Sequence, residues 1–368
     1  MRTIFILGGG DLQLDLILEA KKMFFYTIVL DMNIECIGAK WCDKFLHIDI
    51  ANKEEVLKKA KEYNINAILT SATELGNVTA CWVGEQLGLN TNSYQTALNT
   101  TNKSFMKNIL LKNNILTAKC SLIEEDKIDF WDKFPAIVKP SDSSAGRGLS
   151  YIQNKEELQG AIRKARTYSP SKRILLEEYI DGKQFSVETI SCNKIHQIVA
   201  INHETIHPLP NIIETSHTIP ADISKSIKDK INAITFTILD VFNIKYGACH
   251  IELKVTPDEK IYIIELASRT GGMRTEMINL VYGISYSQLL LLASLNCLSE
   301  IRYSRHSQVT CHFIVNYNAY QEYLKIKNDT NSIIFEPLSI TKVEENFIAS
   351  HLGESKGYYF VLENKFIS

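Results

Sequence analysis

Two glutamates in apolar segments are the first residues of this sequence that could do chemistry. Glu252 lies in His-Ile-Glu-Leu and Glu265 in Ile-Ile-Glu-Leu, on either side of a Pro-Asp-Glu turn at 257–259. Residues 249–267 are therefore predicted to form a β-hairpin. A carboxylate in a buried strand is costly unless it is paired or bound to a metal. Two of them on neighbouring strands would make the oxygen site that Mg²⁺ uses together with nucleotide phosphates. Pairing with lysines, or exposure to solvent, explains the hairpin alone equally well.

The residues that follow the second acid favour anion binding. The segment Glu265-Leu-Ala-Ser-Arg269-Thr-Gly271-Gly272 places an arginine and two glycines directly after it. Arginine suits bidentate recognition of carboxylate or phosphate, and glycines let backbone amides approach an anion closely. This context favours the metal and phosphate interpretation of the hairpin.

A loop of small residues follows a lysine at a strand end. Lys139 closes the apolar segment AIVKP, and residues 141–148 (SDSSAGRG) follow it. In the common phosphate-binding loop the lysine comes after the glycines, at the start of a helix. The order is reversed here, so this segment does not match that loop, although its composition is typical of phosphate binding.

The glycines near the start of the chain have two interpretations. GGGDLQ follows the strand TIFIL, and Asp31 ends the next strand, as in a dinucleotide-binding unit. Gln13 stands where the third glycine of that motif belongs. We therefore favour a tight strand-to-helix turn over an NAD site, and the turn could still line a substrate pocket.

Composition excludes several classes of protein. The chain has 368 residues, is 45% hydrophobic and 22% charged, and has a net charge of -2. These values are typical of soluble globular proteins and give no basic excess for nucleic acid. The longest apolar stretches, such as 289–295, are too short to span a membrane, and the N-terminus lacks a signal-peptide cleavage site. The eight cysteines show no C-x-x-C spacing and are predicted to be reduced thiols. We expect a cytoplasmic protein.

The pattern of elements predicts an α/β plus α+β fold in three parts. Residues 1–100 alternate strands and helices, which predicts a doubly wound parallel-sheet domain. Residues 101–300 mix runs of strands with helices, which predicts a two-lobed domain with antiparallel sheet. Residues 301–368 are less periodic and are predicted to form a small C-terminal subdomain.

The order of these motifs resembles the ATP-grasp superfamily. The resemblance covers about residues 100–300 and rests on Lys103, Lys139, the loop 141–148, EEYI at 177–180 and the pair Glu252 and Glu265-x-x-x-Arg269. No single motif is specific to this superfamily, but the order and spacing of the motifs together are specific to it. Within the superfamily, this sequence is most similar to the carboxylate–amine ligases, including the L-amino-acid ligases. That similarity rests on Arg269-Thr-Gly-Gly and on the segment 213–220 (IETSHTIP).

The resemblance implies a nucleotide bound between two lobes. Lys139 and Lys103 would contact the phosphates, and the loop 141–148 would cover them. The segment EEYI would hold adenine, with Glu177 facing its amino group, and Gln184 would contact the ribose. Glu252 and Glu265 would hold Mg²⁺, for which Mn²⁺ is an acceptable substitute. The implied ATP-binding residues are Lys103, Lys139, Ser144, Gly146, Gly148, Glu177, Glu178, Ile180 and Gln184.

Two positions depart from the family pattern. The ribose-contacting residue is usually glutamate, but Gln184 carries no charge, which predicts weaker nucleotide binding. Ala267 stands where an asparagine often follows the second metal ligand, so the ion would have fewer protein ligands and more water.

The reaction implied by the resemblance is amide or peptide formation through an acyl phosphate. Arg269 would neutralise the carboxylate or the transferring phosphoryl group, and the amides of Gly271 and Gly272 would bind the tetrahedral oxyanion. The polar segment 201–220 is interpreted as a substrate loop, with a surface loop as the alternative. In it, Glu214 would bind an amino group, and His217 would bind substrate or deprotonate the amine.

Glu74 and the choice of substrates complete these expectations. Glu74 would border the same crevice, although a helix-start acid stabilised by the helix dipole explains it equally well. We expect small-molecule carboxylate and amine substrates, no nucleic acid and no membrane, with a homodimer left open. Two alternatives are a carboxylase or synthetase of the purine or bicarbonate-activating type, and a non-catalytic ATP-binding module.

Overall fold

The first part of the chain forms a parallel sheet with apolar side chains on both faces. A computed structural model describes residues 2–124, 131–143, 146–304, 307–329, 333–336 and 340–363. The first sheet has the strand order β3-β2-β1-β4. Ile4 and Ile6 enter one core and Phe5 and Leu7 the other, as the continuous apolar strand predicts. The strands are β1 (Thr3–Leu7), β2 (Tyr26–Asp31), β3 (Lys44–His47) and β4 (Ala67–Leu69).

The helices around this sheet confirm the predicted alternation. The fourth helix begins at Glu74 because the Thr73 side chain caps it, accepting from the Gly76 amide. This start puts Glu74 in the first turn of the helix. The helices are α1 (Asp11–Lys22), α2 (Ile37–Trp41), α3 (Lys53–Glu62), α4 (Glu74–Leu87) and α5 (Tyr94–Thr101).

The glycine turn after β1 uses its amides within the protein. Gly8, whose φ is 90°, donates to the Leu30 carbonyl at 2.9 Å. Gly9 donates to Asp31 Oδ2 at 2.7 Å, and Gly10 to Gln13 Oε1 at 3.1 Å. The amides and the acid that a dinucleotide site would use therefore bind one another, which agrees with the tight-turn interpretation.

Two antiparallel sheets follow and face each other as lobes. The smaller has the order β5-β8-β6-β7, and the larger β13-β12-β9-β10-β11-β14-β16-β15. The predicted hairpin around residues 249–267 is present as β12 and β13. The strands are β5 (Cys120–Ile123), β6 (Ala136–Pro140), β7 (Ser150–Ile152), β8 (Ile174–Glu178), β9 (Lys183–Cys192), β10 (Ile195–Ile206), β11 (Glu214–Ile219), β12 (Gly247–Val255), β13 (Ile261–Ala267), β14 (Gln308–Phe313), β15 (Ile333–Phe335) and β16 (Tyr358–Glu363).

The remaining helices cover these sheets. They are α6 (Lys103–Lys112), α7 (Leu158–Thr167), α8 (Lys225–Val241), α9 (Arg274–Tyr282), α10 (Tyr286–Ser294) and α11 (Tyr317–Lys327), with a 3₁₀ turn at Leu352–Glu354. In the described part of the chain, no single helix has the length and apolar composition of a membrane span. The pair α9 and α10 meets those criteria only when joined across a bend of 107°.

The C-terminal part of the chain is more regular than its sequence pattern suggested. Strand β14 pairs with β11, and β16 pairs with β14, so the predicted subdomain 301–368 continues the sheet of the predicted domain 101–300. In β14 the buried residues Val309, Cys311 and Phe313 alternate with less buried ones. This period of two is the strand signal that the sequence analysis did not use.

Hydrogen bonds tie the end of β13 to the first domain. Thr270 Oγ1 lies 2.9 Å from Ser71 Oγ, and Asn77 Nδ2 donates to Ser268 Oγ at 2.8 Å. Thr100 Oγ1 lies 2.7 Å from the same serine oxygen. The segment after Glu265 therefore has a fixed position against β4, α4 and α5.

Candidate active site

One cleft between the two antiparallel sheets collects most of the predicted site residues. Those that line it are Lys103, Lys139, Gly146, Glu177, Glu178, Ile180, Gln184, Glu214, Glu252 and Glu265. Gly148 lies beside this cleft with φ of 75°, where an added Cβ would crowd Pro140 and Tyr168. Ser144 lies outside the described residues.

Glu177 holds the lysine that points into this cleft. Its carboxylate oxygens lie 2.8 Å from Lys139 Nζ and 3.1 Å from Lys107 Nζ. Lys107 also donates to Thr117 Oγ1 at 2.7 Å, and this serves as its second anchor. Burial opposes ionisation of Glu177, but the two ammonium groups outweigh it and lower the pKa of its carboxyl to about 2. Glu177 also lines the cleft, so its position facing adenine stays a prediction, and the structure adds that its carboxylate binds the two lysines.

The predicted adenine-binding segment is held by its neighbours. Glu178 accepts from the Lys119 amide at 2.9 Å, and the Ile180 carbonyl accepts from Lys254 Nζ at 2.9 Å. The same ammonium lies 4.5 Å from the centre of the Tyr179 ring. Burial lowers the pKa of Lys254 to about 8. These contacts fix the backbone of residues 178–180 at the edge of the cleft.

Gln184 has a partner that explains why it is not a glutamate. Its Nε2 donates to Glu204 Oε2 at 2.8 Å, and Glu204 is buried. A carboxylate at position 184 would face another carboxylate and repel it. The amide therefore suits this environment, and its contact with a ribose hydroxyl stays a prediction.

Replacing Gln184 with glutamate is expected to destabilise the protein and weaken ATP binding. The variant loses the hydrogen bond to Glu204 and adds a like charge, which should cost about 1–3 kcal/mol in the free energy of unfolding. Urea unfolding and the KM for ATP measure the two effects. Gln288→Glu, at an exposed position, makes the same charge change as a control. Equal stability and equal KM for Gln184→Glu and wild type would contradict this explanation of Gln184.

The two acids of the hairpin lie directly opposite each other. Glu252 and Glu265 are partners in the register of β12 and β13. Lys103 Nζ lies 2.9 Å from Glu265 Oε1 and donates to the Ser143 carbonyl at 3.1 Å. Both interpretations of the hairpin thus find support, because the carboxylates converge and one of them also has a lysine partner.

The donor set at this pair fits Mg²⁺ shared with phosphates. Within the described ranges, no three His, Cys, Asp or Glu side chains converge as a metal cluster. Two carboxylates suffice for Mg²⁺, which keeps several waters and takes phosphate oxygens as further ligands. Glu252 and Glu265 would be the residues that hold it.

A buried histidine orients Glu252. His250 contacts Glu252 Oε1 at 3.2 Å through Nε2, and its Nδ1 contacts Glu188. Burial alone would lower its pKa, but the two carboxylates raise the pKa of His250 to about 10. The imidazolium therefore donates from both nitrogens and holds Glu252 in place.

Arg269 and Glu74 are brought together from different domains. Arg269 Nε and Nη2 lie 2.9 Å and 2.7 Å from Glu74 Oε1, and Nη1 donates to the Thr270 carbonyl at 3.0 Å. Glu74 is at once the helix-start acid and the partner of Arg269, so its two interpretations are compatible. Arg269 is thereby held with its guanidinium in a fixed plane.

The two glycines after Arg269 differ from each other. The Gly271 amide donates to Glu188 Oε2 at 3.2 Å, and an added Cβ would collide with Glu188 and His250. Its predicted role as an oxyanion donor is therefore corrected. Gly272 has open space around its Cα. Its amide has no hydrogen-bond partner in the part of the chain that the structure describes, so it keeps that predicted role.

Arg274 is a site residue that the sequence analysis missed. It is 2% exposed, and its Nη2 lies 2.7 Å from Glu204 Oε1. Its Nε lies 3.5 Å from Glu188 Oε1, and its Nη1 donates to His217 Nδ1 at 2.6 Å. A signal was present, because Arg274 is the first residue of α9, where the helix dipole disfavours a cation. An arginine at the start of a helix therefore needs hydrogen-bond or carboxylate partners from other parts of the fold.

Glu214 and His217 lie on a strand and contact each other. The structure places them in β11, where the sequence analysis expected a loop. His217 Nε2 lies 2.9 Å from Glu214 Oε2. Residues three apart on a regular strand face opposite sides. In the pairing of β10 with β11, Ser216 lies opposite Thr205 and Glu214 lies opposite Ile206, so Thr215 is an extra residue in β11. This β-bulge brings the side chains of Glu214 and His217 to the same face of the sheet.

The contacts of His217 correct its predicted role as a base. A guanidinium only donates, so Nδ1 accepts from Arg274 and the proton sits on Nε2, which donates to Glu214. Burial and the Arg274 charge lower the pKa of His217 well below its ordinary value. The ring is neutral with both nitrogens engaged, so it has no lone pair to take a proton from an amine.

Comparison with known proteins agrees with this geometry. Residues 132–277 match the family model of the ATP-grasp domain. The chain thus contains an ATP-grasp domain, as the order of its motifs predicted, and it is an ATP-dependent enzyme of the ligase type. The formate-dependent phosphoribosylglycinamide formyltransferase of Prochlorococcus marinus subsp. pastoris is 29% identical over 307 residues, which are 80% of this chain and 76% of the relative. Relatives of the same name from four other strains align over 48–63% of their own length.

Solved structures share the fold along the whole chain. The L-amino acid ligase from Bacillus licheniformis has a TM-score of 0.77 at 18% identity, covering 100% of this chain and 94% of that one. The N5-carboxyaminoimidazole ribonucleotide synthetase from Thermotoga maritima has a TM-score of 0.74 at 18% identity, covering 100% and 95%. These matches confirm the predicted combination of a parallel-sheet domain with antiparallel lobes.

Proposed function

We propose that this enzyme activates a carboxylate with ATP and passes the acyl group to an amine. The observation that carries the proposal is the pair Glu252 and Glu265, opposite in register, in one cleft with Lys103 and Lys139. An acidic pair beside two lysines suits a metal–triphosphate complex, because the ion, the lysines and the phosphates neutralise one another.

The first step joins the carboxylate to the γ-phosphate. A carboxylate oxygen attacks the γ-phosphorus, the bond from phosphorus to the ADP oxygen breaks, and ADP leaves. Lys139, held by Glu177, and Lys103, held by Glu265, offset the charge on the phosphates. Mg²⁺ bound at Glu252 and Glu265 would add charge neutralisation between the phosphates. Arg269 would draw the substrate carboxylate towards the nucleotide, since Glu74 already fixes its guanidinium.

The second step forms the amide. The amine nitrogen attacks the acyl carbon, phosphate leaves, and one proton leaves the nitrogen. We assign that proton to the departing phosphate, because His217 has no free lone pair and Glu214 would hold the ammonium group of the first substrate. Burial raises the pKa of the Glu214 carboxyl, and a bound ammonium group would offset the cost of burying its charge. The Gly272 amide is the donor available to the developing oxyanion.

The charges around the cleft favour an amino acid as the carboxylate substrate. Three of the cations that we place near the reacting groups have a carboxylate partner of their own: Lys103–Glu265, Arg269–Glu74 and Arg274–Glu204. Lys139 shares Glu177 with Lys107, which leaves one positive charge for the nucleotide phosphates. A zwitterion adds no net charge to such a site, whereas a sugar phosphate would require additional cations. Glu214 would bind the ammonium group of the amino acid.

A second candidate is formyl transfer to phosphoribosylglycinamide. Identity of 29% across 80% of the chain to an enzyme of that name favours it. Both candidates share the activation of a carboxylate and its transfer to an amine. A non-catalytic module is disfavoured, since the acidic pair lies in the cleft and Arg269, four residues after Glu265, is held in place by Glu74. The cytoplasmic location, the expected partners and a homodimer stay predictions from the sequence.

Release of ADP across a matrix of substrates tests the proposal. We expect ADP release with one or more amino-acid pairs, and a hydroxamate when hydroxylamine replaces the amine and traps the acyl phosphate. Release only with formate and phosphoribosylglycinamide would establish the second candidate. ATP binding without ADP release for any carboxylate would favour the non-catalytic module. Dependence on bicarbonate would indicate a carboxylase.

A further inference from the structure

A chain of four hydrogen bonds joins the predicted ribose end of the cleft to its predicted amine end. Gln184 donates to Glu204 at 2.8 Å, and Arg274 donates to the other oxygen of Glu204 at 2.7 Å. Arg274 donates to His217 at 2.6 Å, and His217 lies 2.9 Å from Glu214. Gln184 and Glu214, at its two ends, both line the cleft.

Arg274 determines the direction of the last two bonds. A neutral histidine carries its proton on either ring nitrogen, and the partner of one nitrogen decides the other. With a permanent donor on Nδ1, the proton must lie on Nε2. His217 then donates to one oxygen of Glu214, which fixes the carboxylate and leaves its second oxygen for a ligand in the cleft.

We propose that Arg274 is a positioning residue that holds His217 as the Nε2–H tautomer and thereby orients Glu214 towards the ammonium group of the substrate. This inference rests on the proposed function for the identity of the substrate group. Arg274 touches no substrate itself. Its effect on substrate passes through His217 to Glu214, while its bond to Glu204 reaches the nucleotide end through Gln184.

A purely structural role is the competing explanation. Arg274 lies between Glu204 and Glu188, and a buried guanidinium that only balances these charges would affect stability without affecting His217. The two roles differ in a readout that does not depend on folding energy, which is the position of the proton on the His217 ring.

Nitrogen-15 NMR of histidine-labelled protein measures that position. His217→Gln assigns the signal, and we expect a protonated Nε2 and an unprotonated, hydrogen-bonded Nδ1 in the wild type. Arg274→Met alone leaves Glu204 buried without its cation and could unfold the protein. The test therefore uses Arg274→Met with Glu204→Gln, which removes both charges and leaves an amide at 204 to contact Gln184. In this double variant we expect a substantial population with the proton on Nδ1.

Kinetics complete the test. In the folded double variant we expect KM for the amino acid to rise more than about tenfold, the effect of losing one charged hydrogen bond. KM for ATP should change less than threefold. Glu214→Gln should show the same pattern. Glu204→Gln alone should keep the wild-type tautomer, and Arg173→Met, at an exposed arginine, should match the wild type.

The outcomes separate this inference from the proposed function. An unchanged His217 tautomer, or an unchanged KM for the amino acid, in the folded double variant would overturn the role of Arg274. If no carboxylate supports ADP release by the wild type, the proposed function fails. The NMR result then still decides whether Arg274 sets the His217 proton.

Discussion

Glu252→Gln and Glu265→Gln are each expected to abolish ADP release while the protein stays folded. Each change removes one of two carboxylates that lie opposite each other in the hairpin. Removal of a residue that only orients a metal ligand typically lowers metal affinity or activity by about 10–100-fold. Removal of a ligand itself should therefore reduce kcat by more than about a hundredfold. Steady-state ADP release and urea unfolding, measured on the same preparations, test both parts of this expectation.

The hairpin also offers a matched control. Glu259→Gln makes the same chemical change in the exposed turn between the two strands, where Glu259 pairs with Lys230 at 2.6 Å. It should keep wild-type activity. Raising the concentration of Mg²⁺ or Mn²⁺ should restore part of the activity in the site variants if the metal site is weakened rather than lost. Wild-type turnover in either site variant would remove the assignment of the ion to this pair.

Glu177→Gln should produce the largest loss of stability among the substitutions considered. It leaves Lys107 and Lys139 close together without the carboxylate that pairs with both. Breaking a buried ion pair by removing one partner typically costs about 3–5 kcal/mol. We expect that loss in the free energy of unfolding at pH 7, together with a raised KM for ATP because Lys139 loses its anchor.

The pH dependence of this loss has a definite sign. The folded pKa of Glu177 is about 2, below its ordinary value of 4.5. A carboxyl whose pKa is depressed by folding stabilises the protein fully above 4.5, and loses that contribution as pH falls towards 2. The depression corresponds to about 3 kcal/mol. The stability difference between wild type and variant should therefore shrink between pH 5 and pH 3.

Urea titrations at several pH values follow this difference. Glu62→Gln removes an exposed carboxylate that pairs with Lys59 at 2.8 Å, and it should give a small difference at every pH. A Glu177→Gln difference that is small at pH 7, or that grows on acidification, would contradict the buried triad of Lys107, Glu177 and Lys139.

For the proposed site residues that lie in continuous motifs, the sequence predicted their positions in the fold. Lys139, the hairpin acids and Arg269 could be placed because each has a neighbouring strand or turn that identifies its position. The alternation of strands and helices was likewise sufficient for the parallel sheet. In these cases the local pattern and the tertiary arrangement carry the same information.

Other features depend on contacts between distant segments. Lys107 and Arg274 look like ordinary helix residues, and only the folded chain reveals that their partners come from β8, β9, β10 and β11. The Gly271 amide looked available until the position of Glu188 was known. The tautomer of His217 depends on Arg274, which is 57 residues away in the chain. No local pattern encodes such pairings.

The bulge at Thr215 decides which side chain of β11 faces the proposed amine site. Strand β11 pairs on both sides, with β10 and β14, and His217 is held by its register. In a regular strand with this register, Thr215 would stand opposite Ile206 on the same face as His217, and Glu214 would turn to the opposite face. Loss of the bulge, with no change in any side chain of the proposed site, would therefore replace a carboxylate by a hydroxyl on that face. Strand pairing, as well as side-chain identity, would then set which substrates the proposed site accepts.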